Sequence, residues 1–224
     1  PIPNPNHPIT MKATFLAFFT LAFLSHLSGQ DNKFYLSLEY SPNMTAVTAR
    51  YTTPDNGTFR FASNIFAKAG YKLTGNLYAN AGIGYLTYKE FISVDYGSNF
   101  EISRIEQVRI NGYVVTPVGF TYYLGSFFVN PEIGIGWNVS NKSNGTVFYP
   151  DGSTTGSKWV DKPNINGVNK ITYPLLLTIG DEIRFNSWSM MIGLKGYYGL
   201  NEIGGRPTYP RHYYGFGIMA GVKF

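Results

Sequence analysis

The chain has 224 residues, a formal net charge of +5 and no cysteine. The charge is modest and forms no dense Lys/Arg block, so nothing points to nucleic acid. Without cysteine there is no disulfide framework, thiolate metal site or lipoprotein anchor.

Aromatic residues make up 17% of the chain and charged residues 14%, against about a quarter charged in an ordinary soluble domain. Tyrosine is the commonest aromatic, with 18 copies. It suits a surface that is apolar at one end and wet at the other, as at a membrane interface.

Pro1 to Thr10 holds four prolines and no apolar run, and it reads as upstream sequence outside the folded unit. Met11-Lys12 opens a different pattern. One positive charge precedes an apolar run from Ala13 to Leu24, and small and polar residues follow from Ser25 to Gly29. This is the layout of a secretory signal peptide over 11–29, with Gln30 as the first mature residue. The run is shorter than the ~20 apolar residues of a membrane-spanning helix. Residues 30–224 are then expected to form one domain.

That domain reads as eight alternating segments. Phe34 to Tyr40 sets Phe34, Leu36, Leu38 and Tyr40 against Tyr35, Ser37 and Glu39. From Phe61 to Leu73, Ile65, Ala67, Ala69, Tyr71 and Leu73 oppose Asn64, Lys68 and Lys72. From Leu77 to Tyr88, apolar residues oppose Tyr78, Asn80, Gly82 and Gly84. Tyr113 to Leu124 is apolar on both faces, which leaves its register open. Phe127 to Asn138 sets Ile133, Ile135 and Trp137 against Asn130, Glu132, Gly134 and Gly136.

Ile171 to Phe185 sets Tyr173, Leu175, Leu177 and Ile179 against Thr178, Glu182 and Arg184. Trp188 to Tyr198 sets Trp188, Met190, Ile192 and Leu194 against Ser189, Gly193 and Lys195. The eighth ends the chain, with Phe216, Ile218, Ala220, Val222 and Phe224 alternating with Gly217, Met219, Gly221 and Lys223. An alternating last strand ending on Phe is how outer-membrane barrels close, so this row is read as the closing-strand signal for the barrel-assembly machinery.

The connections alternate long and short. Residues 41–60, 89–112, 139–170 and 199–212 are long, and 74–76, 125–126 and 186–187 are tight. Outer-membrane barrels have short periplasmic turns and longer outer loops. Aromatics gather at segment ends, as interfacial girdles do. The expected fold is an all-β, eight-stranded antiparallel up-and-down transmembrane β-barrel in the bacterial outer membrane.

Three runs carry a family likeness. Leu194-Lys195-Gly196-Tyr197-Tyr198-Gly199-Leu200-Asn201-Glu202-Ile203 resembles the "RYxxGLxNI" run of the PorT-like outer-membrane β-barrel domain of Bacteroidetes-type bacteria. Val115 to Tyr123 resembles the family's fourth strand, and Pro131 to Gly136 its Gly-rich fifth strand. Lys195 stands where the family has Arg, and Thr116 where it has Ile. The resemblance implies a fold and a location, and a part in secretion as an alternative role. It implies no defined chemistry.

The inward rows collect Glu39, Lys68, Glu132, Glu182, Arg184 and Lys195. Both signs occur, and an eight-stranded barrel is just wide enough for side chains to fill it. A charge-paired lumen network is therefore expected. His212 is the one histidine of the mature domain. A small outer-leaflet hydrolase would have to use it with Asp151 or Asp161, and no His-x-Ser run supports that.

The reading is non-enzymatic, without cofactor or resident metal. Three histidines in the whole chain are too few for a His-rich metal site; oxygen ligation of Ca²⁺ by loop Asp and Asn stays open. The expected partners are outer-membrane lipid and envelope proteins or extracellular ligands, met through the outer segments 89–112 and 139–170.

Overall fold

The structure is a computed structural model that describes residues 33–49, 59–96, 100–159, 169–201 and 211–224. Residues 1–10 and 11–29, expected from the sequence to be upstream sequence and a signal peptide, lie outside these residues, as does Asp161.

Among the described residues ten strands are formed: β1 (Phe34–Ala49), β2 (Arg60–Thr74), β3 (Leu77–Asp95), β4 (Arg104–Leu124), β5 (Phe127–Phe148), β6 (Thr154–Trp159), β7 (Ile171–Thr172), β8 (Pro174–Arg184), β9 (Ser189–Gly199) and β10 (Arg211–Lys223). All pairings are antiparallel. β1 through β5 pair in sequence, β5 pairs β7 and β8, and β8, β9 and β10 follow in order. β10 then returns to β1, with Leu38 opposite Val222 and Tyr40 opposite Ala220. The sheet is closed. Taking β7 and β8 as one wall, it is the eight-stranded antiparallel up-and-down barrel expected from the sequence.

Side chains alternate across the wall, as the pleat requires. Along β8, Pro174, Leu176, Thr178, Gly180 and Glu182 are buried, while Leu175, Leu177, Ile179 and Ile183 are exposed. The apolar rows face outward on the other walls as well. Ile65, Tyr71, Ile83, Ile133, Ile135, Ile192, Leu194, Phe216 and Ile218 are all exposed. A soluble barrel would turn these rows inward. So continuous an apolar wall is far beyond the patches a soluble monomer exposes and is the lipid-facing surface of a membrane-crossing barrel. Among the described residues no helix is long and apolar enough to cross a membrane; the crossing is made by strands.

The register of β4, open in the sequence, is set by its neighbours. Val118, Phe120, Tyr122 and Leu124 face out, and Tyr113, Val115, Pro117, Thr121 and Tyr123 face in. Both rows are apolar because the inward one packs a core.

The tight turns lie at one end. Gly75-Asn76 joins β2 to β3 and Gly125-Ser126 joins β4 to β5. Gly125 has φ +70°, a left-handed conformation that a hairpin of this length needs and glycine adopts without strain.

The other end differs from the sequence expectation. Residues 89–112 and 139–170 were read as outer loops, yet much of each is paired strand. β3 continues to Asp95, β4 starts at Arg104, and β5 runs to Phe148 before folding back as β6. β1 likewise runs through 41–49, inside the expected first loop. β4 and β5 have 21 and 22 residues, while β8 and β9 have 11 each. The physical reason is simple: outside the bilayer a strand needs no apolar row, so backbone pairing continues after the alternation has stopped.

The sixth expected segment is also interrupted. Pro174 brings no N–H to the ladder, and Tyr173 stands between β7 and β8. Asn201 braces the gap. Its Oδ1 accepts from the Tyr173 N–H at 2.9 Å, and its Nδ2 donates to the Ile171 carbonyl at 2.7 Å.

Candidate functional site: the filled lumen and its inner mouth

The barrel encloses four inward charges at mid-height, one from each of four walls. Glu39 comes from β1, Lys68 from β2, Glu132 from β5 and Lys195 from β9. Lys68 Nζ lies 2.6 Å from Glu132 Oε2 and 3.0 Å from Glu39 Oε1. Lys195 Nζ lies 2.6 Å from Glu39 Oε2. The chain Glu132–Lys68–Glu39–Lys195 therefore alternates in sign and sums to zero. Each of these residues is buried.

Bare burial of such charges would cost several kcal/mol per ion; here each ion has a partner of opposite sign in hydrogen-bond contact. Lys195 Nζ also sits 4.0 Å from the centroid of the Phe66 ring, a favourable face for a cation.

Room for this cluster comes from glycine. A Cβ on Gly82 would lie 2.7 Å from Lys68 Cγ, and one on Gly84 would lie 2.1 Å from the Phe66 ring. A neutral polar net lies beside the charges. Asn80 Nδ2 donates to Thr121 Oγ1 at 2.8 Å and to Asn130 Oδ1 at 3.0 Å.

Towards the outer end the lumen is filled by aromatic rings. Tyr88 stacks on Tyr213 with centroids 4.0 Å apart, and meets Tyr113 and Tyr197 edge-on at 5.6 and 5.3 Å. Asn111 donates to the Tyr213 hydroxyl. Val47, Phe66, Leu86, Val115 and Leu176 complete the cluster. No single sequence feature announced it. Its members are inward positions on different strands, and only barrel closure brings them together.

Glu182 and Arg184 do not join the central four. Glu182 sits at the inner mouth, where Lys223 Nζ approaches its Oε2 to 2.6 Å. Arg184 stands on the rim with its side chain 62% exposed, its Nε donating to Glu182 Oε1 at 3.3 Å. The wall ends at Arg184, so alternation no longer forces its side chain into the lumen. Lys223 was missed as a site residue, although the alternation of the last strand already placed it in the inward row. Its Nζ donates to the Tyr123 hydroxyl at 3.0 Å and lies 5.0 Å from the Tyr35 ring centroid.

His212 stacks on Tyr198 at 5.5 Å, and its Nδ1–H donates to the Gly199 carbonyl at 3.0 Å. Asp151 closes a small turn, accepting from the Ser153 hydroxyl at 2.6 Å and the Ser153 N–H at 2.9 Å. Those two bonds hold its carboxyl below the usual carboxylate range. Among the described residues no group of three or more His, Cys, Asp or Glu side chains is placed to hold a metal ion. The row Phe216, Ile218, Ala220, Val222 and Phe224 lies on the lipid-facing side of β10, the strand that closes on β1.

No family model matches the chain, and no curated protein matches it. Solved barrels do. Ail, the attachment invasion locus protein of Yersinia pestis, is 11% identical over 86% of this chain and 99% of that chain, with a TM-score of 0.49. Neisserial surface protein A is 16% identical over 85% of this chain and 95% of that chain, with a TM-score of 0.35. The outer membrane protease OmpT from Escherichia coli is 11% identical over 87% of this chain and 97% of that chain, with a TM-score of 0.39. The eight walls and their closure define the fold independently of these likenesses.

Proposed function

We propose that the protein is a non-enzymatic outer-membrane barrel whose sealed wall anchors a binding sheet at the cell surface. The observation that carries this reading is the difference in strand length. β3, β4 and β5 outrun β8 and β9, and together with β6 they form a paired sheet at the end opposite the tight turns. The paired charges and stacked tyrosines argue for a lumen that anchors rather than conducts. Export would use the segment 11–29, removed in the mature protein. Insertion would use the barrel-assembly machinery reading β10.

The test uses the absence of native cysteine. A single cysteine at Asn144 should react in intact cells with a membrane-impermeant maleimide, and one at Ser187 only after the outer membrane is opened. The reverse pattern would overturn the surface role. Purified protein in planar bilayers should show no steady conductance; an open channel would overturn the sealed lumen. Removing the distal parts of 89–112 and 139–170 should leave insertion intact and abolish attachment to extracellular ligands.

The PorT-like resemblance supports a second reading, a component of a secretion machine. The structure gives its motif residues a structural role in this chain, since Asn201 splints the β7–β8 break. The secretion reading predicts co-purification with envelope proteins and a secretion defect on deletion.

A further inference from the structure

The inner mouth holds a cavity of about 480 Å³, a volume that accepts a small ligand. Lys72, Tyr78, Glu182, Arg184, Trp188 and Lys223 are among its lining residues. Among the lining side chains three cations thus face one carboxylate, and that carboxylate is committed. Lys223 approaches Glu182 Oε2 to 2.6 Å and Arg184 approaches Oε1 to 3.3 Å. Lys72 forms no ion pair among the described residues; its Nζ lies 6.0 Å from the Tyr78 ring centroid. Asn186 and Ser187 add neutral donors at the rim.

Phe224, the last residue, also lines the cup, so three positive charges less the Glu182 side chain and the Phe224 carboxylate leave a surplus of one. Like charges gathered in a cup walled by low-dielectric protein repel each other and focus their field on the opening. The central cluster at mid-height shows the contrast: its charges cancel and its atoms are in contact. The mouth has the opposite design, with surplus charge, empty volume and an aromatic wall in which Phe185 stacks on Trp188 at 4.3 Å.

We propose that this cup is an anion site that takes a phosphate-bearing ligand. A phosphodiester monoanion, or a phosphate in its singly charged form, neutralises the surplus. Its oxygens suit both the planar fork of Arg184 and the compact charge of Lys72. The same chemistry has two sources at this depth, a soluble phosphate compound or the headgroup of an anionic lipid in the adjacent leaflet. The site shares the barrel with the surface reading but none of its outer residues, so either can fail alone.

The experiment uses the full mature chain in phosphatidylcholine nanodiscs, with Trp188 as the fluorescent reporter and Trp188→Phe as its control. One arm titrates inorganic phosphate; the other replaces part of the lipid with phosphatidylglycerol. A saturable change is expected in one arm, which names the source. Lys72→Gln and Arg184→Gln should each weaken it about tenfold, the effect of losing one charge-assisted hydrogen bond. Lys142→Gln, on the outer sheet, should leave it unchanged. Unheated gels establish that each variant still forms the closed barrel. No response in either arm, or a response that Lys72→Gln and Arg184→Gln leave intact, would overturn the proposal.

Discussion

Between Pro131 and Trp137, β5 alternates residue by residue, with Ile133, Ile135 and Trp137 facing lipid and Glu132, Gly134 and Gly136 facing the lumen. From Asn138 to Phe148 the same strand carries mostly Asn, Ser, Lys, Gly and Thr, with Val139, Val147 and Phe148 as its apolar members. Asn141 and Ser143 are buried there while Lys142 and Asn144 are exposed. Pairing with β4 continues through both halves. The contrast separates two causes that coincide in most strands. Backbone hydrogen bonding builds the ladder, while the solvent outside chooses the residues. Lipid demands an apolar row, and every edge must be paired because nothing in the bilayer core can bond an open one. Water makes neither demand, so the outer half of β5 is largely polar, and it can carry β6, which among the described residues pairs with β5 alone.

The largest test of this contrast lies inside the wall. Lys68 is the ion that joins Glu39 to Glu132. Lys68→Met leaves two buried carboxylates facing one lysine, which should cost about 3–5 kcal/mol. Urea unfolding from lipid vesicles measures it. Adding Glu132→Gln should recover part of the loss, and a double variant as unstable as the single one would refute the pairing.

A second test puts one substitution in both regions. Leu194 is 68% exposed and lies between Ile179 and Ile218 on the neighbouring walls. In lipid, Leu194→Arg should cost about 2–4 kcal/mol. Asn144→Arg, on the same kind of strand but outside the bilayer, should fall within about 0.5 kcal/mol of the parent. Equal effects would erase the boundary drawn between wall and sheet.

The smallest effect belongs to the turn at Asp151. Its carboxyl is fully exposed, and its folded-state pKa lies below the ordinary value because Ser153 donates to it twice. The contribution of a group depressed in this way is present above the ordinary carboxylate pKa and disappears as pH falls through the folded one. Acidification should loosen the turn from Tyr149 to Ser153 while the barrel stays closed. Amide exchange of the Ser153 N–H reads it, and a pH-independent exchange ratio to the Asp151→Ala variant would count against it.

The outward rows were legible in the sequence because lipid is a uniform environment. One face of each crossing strand must be apolar whatever its neighbours are, so period two shows along a single segment. Inward rows were legible as polarity but not as contacts. Glu182 and Lys195 look alike in the alternation, yet one sits at the mouth and the other at mid-height. Stagger around a closed sheet decides which residues meet, and no single strand contains that information. The tyrosine cluster of Tyr88, Tyr113, Tyr197 and Tyr213 stayed invisible for the same reason. The outer strands were misread as loops because their only regular feature is the backbone, which carries no side-chain signal.

The sequence by itself determined the alternation, the rhythm of tight turns and long connections, and hence the closed eight-walled barrel, because each follows from local chemistry repeated along the chain. The tertiary structure alone decided which charges pair, where the lumen is filled, where the strands end and where a cationic cup opens. Those depend on register between strands far apart in sequence, and register is fixed only when the whole ring of hydrogen bonds closes.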